Sequence, residues 1–368
     1  MRITPMAIAL AAIGFASVAH AQTQVEVYGV VDAYVEAYDN GADTTGRVSS
    51  GGKAGSRLGF RGTEQLGGGL AAFFSLEMGI LLDNGKSTPD NASGAGYLFQ
   101  REALVGLKGN FGSLSLGRQY TPQFLALAMN DPAGLGMSSS INYFASPSAS
   151  GINGGPGADG VTRRDNSVVY STPRLAGFQA TLLAAAGESK DLAGGPSNKV
   201  GNAYNLGVRY AAGPLSANFS YLVQQPLYRN VLGDEGKDKF LTVSAAYDFG
   251  VIKPAFTYSQ KDSADTIAAP NVAAWQIGAS APLVGGRLIG TFAMLKNDSQ
   301  ADADASAWGV RYDYPLSKRT TLYGGVTGIS NDKFATYGIS GGGGSSAPIA
   351  GAAGADPRSI YAGMSHAF

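Results

Sequence analysis

The chain has 368 residues, of which 53 are Gly and 18 are Tyr, and only 15% of its residues are charged. Lys plus Arg equals Asp plus Glu at 27 each, so the chain lacks the positive excess that nucleic-acid binding needs, and we expect no nucleic-acid partner. It contains no Cys, which excludes disulfide bonds, although an exported protein with a large core can fold without them.

The N-terminal residues have the pattern of a secretory signal peptide. Arg2 supplies a positive charge, a short apolar stretch follows, and Ala19-His20-Ala21 is an A-x-A cleavage site. The apolar stretch is shorter than the roughly 20 residues of a bilayer-spanning helix. We therefore predict that residues 1–21 are removed. Residues 22–368 should form one domain, because no linker or change in composition divides them.

After the signal peptide, apolar and polar residues alternate in blocks of about ten residues. In the first block, Val25, Val27 and Val35 share one face, whereas Glu26 and Tyr28 lie on the other. This pattern is typical of transmembrane β-barrel strands. A soluble β-sandwich also alternates, because one face of each strand meets a core, so the spacing of the connections must separate the two.

Tight turns and longer polar connections follow one another regularly along the chain. The tight turns are expected at Leu66-Gly69, Asn110-Gly112, Pro173-Ala176, Ala212-Pro214, Phe249-Gly250, Pro282-Gly285 and Pro315-Lys318. The longer connections lie near residues 39–53, 83–97, 121–164, 188–202, 225–238, 262–271, 298–304 and 331–357. Seven short and eight long connections join sixteen strands, and this even number leaves both termini at the short-turn end. We therefore predict an all-β, 16-stranded antiparallel transmembrane barrel, closed so that no backbone group is unpaired in hydrocarbon.

Aromatic residues are concentrated beside the short turns, as in the interfacial girdles of barrels. They are Phe111, Phe178, Tyr210, Tyr247, Phe249, Tyr312 and Tyr314. In the last block, Ile360, Ala362, Met364, His366 and Phe368 fall on one face. A terminal Phe in phase with an apolar face resembles the assembly signal of outer-membrane proteins, and we assign Phe368 that role.

Residues for catalysis or cofactor binding are scarce. His20 is lost with the signal peptide and His366 lies on the apolar face of the last strand, so a histidine-based nucleophilic site is disfavoured and we predict no catalytic residues. Asp298, Asp302 and Asp304 lack the glycine and closing glutamate of a calcium loop. Gly341-Gly344 does not open a helix after a strand, so it is not a phosphate-binding loop. We expect no cofactor and no metal.

Several basic residues should face the lumen. Arg57 and Arg61 share a face opposite Leu58 and Phe60, and Arg101 begins a nearby strand and could join them. Arg118 is in phase with apolar residues instead, so we interpret it as a subunit contact.

Residues 121–164 form the longest connection between two strands, and a loop of that length in a compact barrel usually has a function. Folded into the lumen, it would bring Asp131 and the pair Arg163 and Arg164 toward the arginines of the wall. Opposed charges at such a constriction would create a transverse field that orients polar solutes. We therefore assign Arg57, Arg61, Arg101, Arg163, Arg164 and Asp131 to the constriction. A loop that only covers the mouth is the alternative.

Motifs spread over the whole mature chain resemble the general trimeric porins of β-proteobacteria. They are Val27-Ala33 (VYGVVDA), Ser56-Glu64 (SRLGFRGTE), Leu66-Leu70 (LGGGL), Val105-Leu107 (VGL), Leu116-Tyr120 (LGRQY), Asp165-Val168 (DNSV) and Tyr314-Thr320 (YPLSKRT). The resemblance implies a homotrimer of sixteen-stranded barrels in the Gram-negative outer membrane, each with its long third extracellular loop in the lumen and a basic wall facing an acidic loop segment. By motif, Arg57 and Arg101 match the wall arginines, and Arg163 and Arg164 match the basic return of the loop.

Two positions depart from enterobacterial relatives. Val30 stands where those relatives are basic, and Pro122-Phe124 reads Pro-Gln-Phe where they carry Pro-Glu-Phe. Fewer acids on the loop against several arginines suggest an anion preference, which is a hypothesis at this point.

The sequence thus predicts a passive diffusion porin, not an enzyme. Its expected partners are ions and small hydrophilic solutes, outer-membrane lipid and lipopolysaccharide, two further copies of the chain, and the barrel assembly machinery acting through the last strand. A solute-specific channel and a secreted soluble β-protein are the alternatives. Saturable block of conductance by one class of solute would identify a solute-specific channel. A monomer that stays in solution without detergent would identify a soluble β-protein.

Overall fold

A computed structural model describes residues 24–87, 98–145, 151–153, 161–187, 201–225, 236–264, 269–339, 341 and 352–368. The strands are β1 Gln24–Asp39, β2 Thr44–Ser50, β3 Arg57–Gly67, β4 Leu70–Gly79, β5 Glu102–Gly109, β6 Gly112–Tyr120, β7 Arg163–Ser171, β8 Phe178–Ala185, β9 Ala203–Ala212, β10 Leu215–Gln224, β11 Asp238–Tyr247, β12 Lys253–Asp262, β13 Val272–Leu283, β14 Gly286–Asn297, β15 Ala305–Pro315, β16 Thr320–Asn331 and β17 Arg358–Ala367. Two short helices, α1 Pro122–Ala128 and α2 Ser140–Phe144, lie between β6 and β7. No helix within these ranges is both long and apolar enough to span a bilayer. The predicted signal peptide lies outside the described residues.

The strands form one closed antiparallel sheet. Sequential neighbours pair along the chain, and β1 pairs with β17 to close the cylinder. β2 and β3 both pair with β1 and share one position, so the seventeen strands occupy sixteen places around the barrel. The predicted 16-stranded antiparallel barrel is therefore confirmed.

The prediction of a long first connection over residues 39–53 is wrong. The chain turns within residues 40–43, where the Asn40 side chain accepts hydrogen bonds from the backbone of Ala42 and Asp43. Thr44–Ser50 then continues as strand β2. Its Gly, Thr and Ser residues suggested a loop, but Arg47 faces inward and its Nε lies 2.7 Å from Oε1 of Glu36. Tertiary pairing with β1 thus overrides weak local β-propensity.

Residues 51–56 interrupt the second barrel position. Ser50 lies opposite Ala33 and Arg57 lies opposite Val30 on β1. Between these two pairs β1 has two residues, whereas the segment opposite it has six, residues 51–56. Asp32 holds this segment, because its carboxylate accepts hydrogen bonds from the backbone N–H groups of Gly52 (2.9 Å), Lys53 (3.2 Å) and Ala54 (3.1 Å). The excess chain bulges into the lumen, where the Gly52 carbonyl accepts from the Met137 amide at 2.7 Å.

All seven predicted short turns are confirmed by the ends of the flanking strands. Aromatic rings cover the outer surface beside them, and two neighbouring pairs are in contact. The ring centroids of Phe178 and Tyr210 are 4.7 Å apart, and those of Tyr247 and Phe249 are 4.5 Å apart. This is the arrangement expected where lipid meets water.

The two faces of the wall differ as a membrane barrel requires. Outward-facing apolar side chains such as Val27, Ile277 and Ile360 remain more than half exposed. Inward-facing side chains on the same sheet are polar and buried, among them Gln276, Thr291 and Thr327. Because lipid cannot hydrogen-bond a polar group, the apolar face must be the outer one.

The C-terminal residue completes the seam between β1 and β17. Phe368 donates its amide to the Gly29 carbonyl at 3.1 Å, and the Gly29 amide donates to the Phe368 carbonyl at 3.2 Å. The Phe368 ring covers Gly29 so closely that a Cβ there would lie 2.5 Å from a ring carbon. A Cβ there would also lie 2.6 Å from the backbone oxygen of Arg57, so a larger residue would force the seam to shift.

Candidate functional site

The segment between β6 and β7, residues 121–162, is called here the inner loop. Its described residues contact inward-facing side chains on strands far apart around the barrel. Gln123 Nε2 donates to Thr242 Oγ1 on β11 at 2.6 Å, and the Ile141 amide donates to Gln276 Oε1 on β13 at 2.8 Å. Ser138 reaches Tyr361 on β17. One short segment can touch all of these strands only from inside the cylinder.

Apolar packing accompanies these hydrogen bonds. Leu127, Ile141 and Phe144 are fully buried against small inward-facing residues such as Ala293 and Ala307. Thr121 begins α1 by accepting a hydrogen bond from the Phe124 amide at 3.1 Å. Helix, cap and apolar contacts together fix the path of the loop along the wall.

The predicted pairing of Asp131 with the wall arginines is not what the structure shows. Asp131 Oδ2 accepts from the Leu135 amide at 2.5 Å, and Oδ1 accepts from Gln276 Nε2 at 2.8 Å. Burial raises the pKa of this carboxyl group, and Arg311 on β15 is the cation that opposes the shift. Asp131 therefore faces β13 and β15, since a buried carboxylate must lie where donors can satisfy it.

Three of the predicted arginines converge on the wall formed by β3 to β7. Arg101 Nε lies 2.5 Å from Glu77 Oε1, and Arg57 Nε lies 3.6 Å from Glu77 Oε2. Arg101 and Arg163 both donate to the hydroxyl of Tyr120, at 2.8 Å and 2.6 Å. The Arg163 guanidinium also stacks over the Tyr120 ring, 4.3 Å from its centroid. We call Arg57, Arg101 and Arg163, with Glu77 and Tyr120, the arginine cluster.

Two residues of the cluster were not identified from the sequence. Glu77 lies in an otherwise mostly apolar strand, where an acid must face the lumen, and that signal could have identified it. Tyr120 ends the LGRQY motif, and nothing in the sequence indicates that two arginines share its hydroxyl. Glu102 lies beside the cluster and accepts from Ser75 Oγ at 2.7 Å.

The remaining predicted constriction residues lie elsewhere. Arg61 does face the lumen, but it pairs with Glu26 at 2.8 Å near the start of β1. It lies directly opposite Glu26 in the pairing of β1 with β3, so Glu26 and not Glu77 is its partner. Arg164 donates to Gln224 on β10 instead. Moreover, Arg163 and Arg164 begin β7 and are not part of the loop.

Arg118 lies on the outward face of β6, as expected for a subunit contact. Its Nη1 is 2.6 Å from Oδ1 of Asp165, and its Nε donates to the Gln100 carbonyl at 2.6 Å. This ion pair fixes the guanidinium near the upper end of the strand. The trimer contact itself stays a prediction.

A second set of charges, not predicted, lies beneath the inner loop at the short-turn end. Arg311 binds Asp313 through two hydrogen bonds of 2.7 and 3.2 Å and donates to the Ala133 carbonyl at 3.1 Å. Lys53 extends from the interrupted strand and donates to Thr321 Oγ1 at 3.3 Å. Arg311 lies between Val310 and Tyr312, and this alternation is a signal that could have identified its inward face. No local signal indicates the bulge that brings Lys53 there.

Comparison with known proteins agrees with this architecture. The family described as Gram-negative porin matches residues 7–333. Outer membrane porin protein 32 of Delftia acidovorans is 33% identical, over 98% of this chain and 99% of the relative. An outer membrane porin protein of Bordetella pertussis is 30% identical, over 88% of this chain and 93% of the relative.

A solved structure is similar over nearly the same length. The anion-selective porin from Comamonas acidovorans has 30% sequence identity and a TM-score of 0.78, covering 94% of this chain and 100% of that one. The Salmonella typhi OmpF structure, at 16% identity and a TM-score of 0.63, shares the fold. The closed barrel, its polar interior and the full-length match lead to one conclusion. The chain is an outer-membrane channel protein that belongs to the Gram-negative porin family.

Proposed function

We propose that the barrel is a passive, water-filled channel whose arginine cluster favours small anions over cations. The observation that carries this proposal is that Arg57 and Arg101 share the Glu77 carboxylate, while Arg163 is joined to Arg101 through the Tyr120 hydroxyl. With Glu102 beside them, three positive charges oppose two negative ones along one wall of the lumen.

The inner loop supplies no counter-charge to this wall among its described residues. Its one described acid, Asp131, is engaged by Leu135 and Gln276, and Asp159 lies outside the described residues. A narrow water-filled passage with a net positive wall attracts anions and repels cations. The anion-selective porin from Comamonas acidovorans, similar in sequence and fold, supports the same proposal.

Replacing Arg57 and Arg101 together by Gln should lower the anion preference. The wild-type channel should show a reversal potential of the anion-selective sign in a KCl gradient across a planar bilayer. The double variant should shift toward zero or to cation preference, because the wall then carries two positive charges fewer. The seam-closing strands are untouched, so the barrel should still insert.

Glu77→Gln is the complementary variant, because it removes the central negative charge of the cluster. It should increase anion preference. Glu26→Gln removes a lumen-facing carboxylate that pairs with Arg61 outside the cluster, and should have a smaller effect. A cation-selective wild-type channel would contradict the proposal.

Passive diffusion without enzymatic activity is part of this proposal. His366, the histidine of the mature chain, lies on the outward-facing side of β17, where Nδ1 is 2.8 Å from Thr320 Oγ1. No histidine therefore faces the lumen among the described residues, and the proposal assigns the channel no nucleophilic chemistry.

We further propose a homotrimer that contacts lipopolysaccharide and is assembled through its last strand, after removal of residues 1–21. Small outward-facing residues, including Ala37, Gly46, Gly324 and Ala362, leave a shallow apolar depression over β1, β2, β16 and β17. Such a surface lets another barrel approach closely. Arg118 lies further around the same wall, on β6, and is our candidate for a contact at the border of the interface.

A further inference from the structure

A cavity of about 520 Å³ lies beneath the inner loop, near the short turns. It is built by the bulge between β2 and β3, the tip of the inner loop, and strands β14 to β16. Its charged and hydroxyl-bearing lining residues are Lys53, Asp131, Arg287, Arg311, Asp313 and Thr321. The volume is in the range of pockets that hold small ligands.

Three of these charged groups are already satisfied within the protein. Arg311 is 2% exposed and its guanidinium is bound by both oxygens of Asp313 and by the Ala133 carbonyl. Asp131 accepts from the Leu135 amide and from Gln276. The two carboxylates therefore have their own donors. Asp313 still attracts Lys53 through space, but the lining keeps one positive charge in excess, since three cations face two carboxylates.

Arg287 and Lys53 keep their charge available to the cavity. Asp313, the cross-strand neighbour of Arg287, is occupied by Arg311, and the exposed Arg287 side chain has no ion pair with a described residue. The Lys53 ammonium donates to a neutral group, the hydroxyl of Thr321. Two cations from different elements thus face one space, and neither forms a salt bridge with a described carboxylate.

We propose that this cavity binds a small dianion, of the dicarboxylate or phosphate class, on its way through the channel. Arg287 offers a planar fork that suits a carboxylate or phosphate, and Lys53 offers a point charge for the second negative group. The Thr321 hydroxyl supplies a further donor. The site is separate from the arginine cluster, which lies on β3 to β7.

The inference rests on the proposed function, because it requires an aqueous lumen that admits anions. Its consequence is a second anion station between the constriction and the periplasmic mouth, since short turns mark the periplasmic end of such barrels. A solute with two negative charges should then stay longer in the channel than one with a single charge.

Succinate and propionate are suitable probes, added to either side of a planar bilayer that contains the purified protein. Succinate should reduce the single-channel current saturably, at concentrations about tenfold lower than propionate. Replacing Lys53 and Arg287 together by Gln should raise the half-blocking concentration of succinate by about tenfold or more and leave that of propionate nearly unchanged. Phosphate at a pH where it is doubly charged should follow succinate.

Lys318→Gln combined with Arg319→Gln is the matched control, because it removes two exposed positive charges from a short turn outside the cavity. Each variant is first checked by gel electrophoresis for a folded band that shifts on boiling. If the double variant does not fold, the single variant Arg287→Gln, at an exposed residue, takes its place. Equal succinate block in the cavity variant and the wild type would overturn the inference. So would a block lost only in the Arg57→Gln and Arg101→Gln variant.

The two proposals fail separately. If the reversal potential indicates anion preference but succinate blocks the cavity variant normally, the dianion site is wrong and the arginine cluster stands. If the wild-type channel prefers cations yet succinate block still depends on Lys53 and Arg287, the anion-selective function is wrong and the site stands.

Discussion

At the scale of single residues, burial and hydrogen bonding decide what each charge in the lumen does. Glu77 works as a shared counter-ion because Arg57 and Arg101 reach its two oxygens from neighbouring strands. Asp131 has the same carboxylate, but backbone and amide donors bind it away from that wall. The same chemical group thus holds two arginines on the channel wall in one position and anchors a loop in the other.

Asp131 should make the stability of the protein depend on pH. Burial raises the pKa of its carboxyl group above the ordinary value of about 3.9, so the folded protein binds this proton more tightly than the unfolded chain does. Stability from this group is therefore fully present below the unfolded pKa and is lost as pH rises toward the folded pKa. Asp131→Asn removes the titration, so wild type should gain stability relative to the variant on acidification.

The measurement is the midpoint of unfolding by denaturant in detergent, compared for the two proteins between neutral pH and about pH 4. Asp83→Asn, which removes an exposed carboxylate, reports the effect of losing one charge alone. A difference between wild type and Asp131→Asn that stays constant over this range would count against a buried, protonation-sensitive anchor.

At the scale of elements, the interrupted strand and the inner loop form one unit. Asp32 binds the backbone of residues 52–54 and accepts from the Tyr323 hydroxyl, while Gly52 receives the Met137 amide. The bulge therefore supports the tip of the inner loop. It also carries Lys53 to the cavity beneath that loop.

Asp32→Ala should destabilise this unit. It leaves several buried donors without an acceptor, and each costs about 1–3 kcal/mol, so the loss should reach a few kcal/mol. We expect a lower unfolding midpoint and noisier single-channel current, because the loop tip loses its support.

Asp43→Ala, in the exposed hairpin between β1 and β2, is the control for this change and should leave both readouts as in wild type. Unaltered stability together with a quiet current in Asp32→Ala would show that the bulge does not hold the loop.

At the scale of the whole molecule, closure of the cylinder is the decisive event. β1 must meet β17, the last strand of the chain, so the barrel cannot be sealed until its C-terminus is present. An unsealed edge in lipid leaves backbone groups unpaired at several kcal/mol each. The seam is completed by the backbone of Phe368 and by its ring over Gly29.

Deleting Phe368 should reduce the amount of folded protein in the outer membrane several-fold, because two backbone hydrogen bonds and the ring contact are lost. The readout is gel mobility without boiling, where the proposed trimer should run as a heat-sensitive oligomer.

Phe249→Ala removes an exposed aromatic ring at a short turn without touching the seam, and should assemble at near wild-type levels. Equal amounts of folded protein after Phe368 deletion would remove this residue from the assembly step. A wild-type band at monomer mass would contradict the trimer.

The sequence by itself determined the strand number, the short turns and the faces of strands that alternate regularly, such as β1 and β17. The physical reason is that lipid imposes a strict rule on each strand separately: every second side chain must be apolar, and turn residues must fall between the strands. Arg57 could be placed inward from neighbouring residues alone, whereas Arg101 could not, because it precedes β5 and its neighbour Glu102 also faces the lumen.

Only the tertiary structure decided which charges meet. Contacts between segments far apart in the chain decide four features. They are the side of the lumen that Asp131 faces, the partner of Arg164, the binding of two arginines to the Tyr120 hydroxyl, and the bulge that carries Lys53. The alternation rule specifies a face but not the register between strands, and the register places Arg61 directly opposite Glu26. The path of the inner loop is set by apolar packing and hydrogen bonds to several strands at once, which no local pattern encodes.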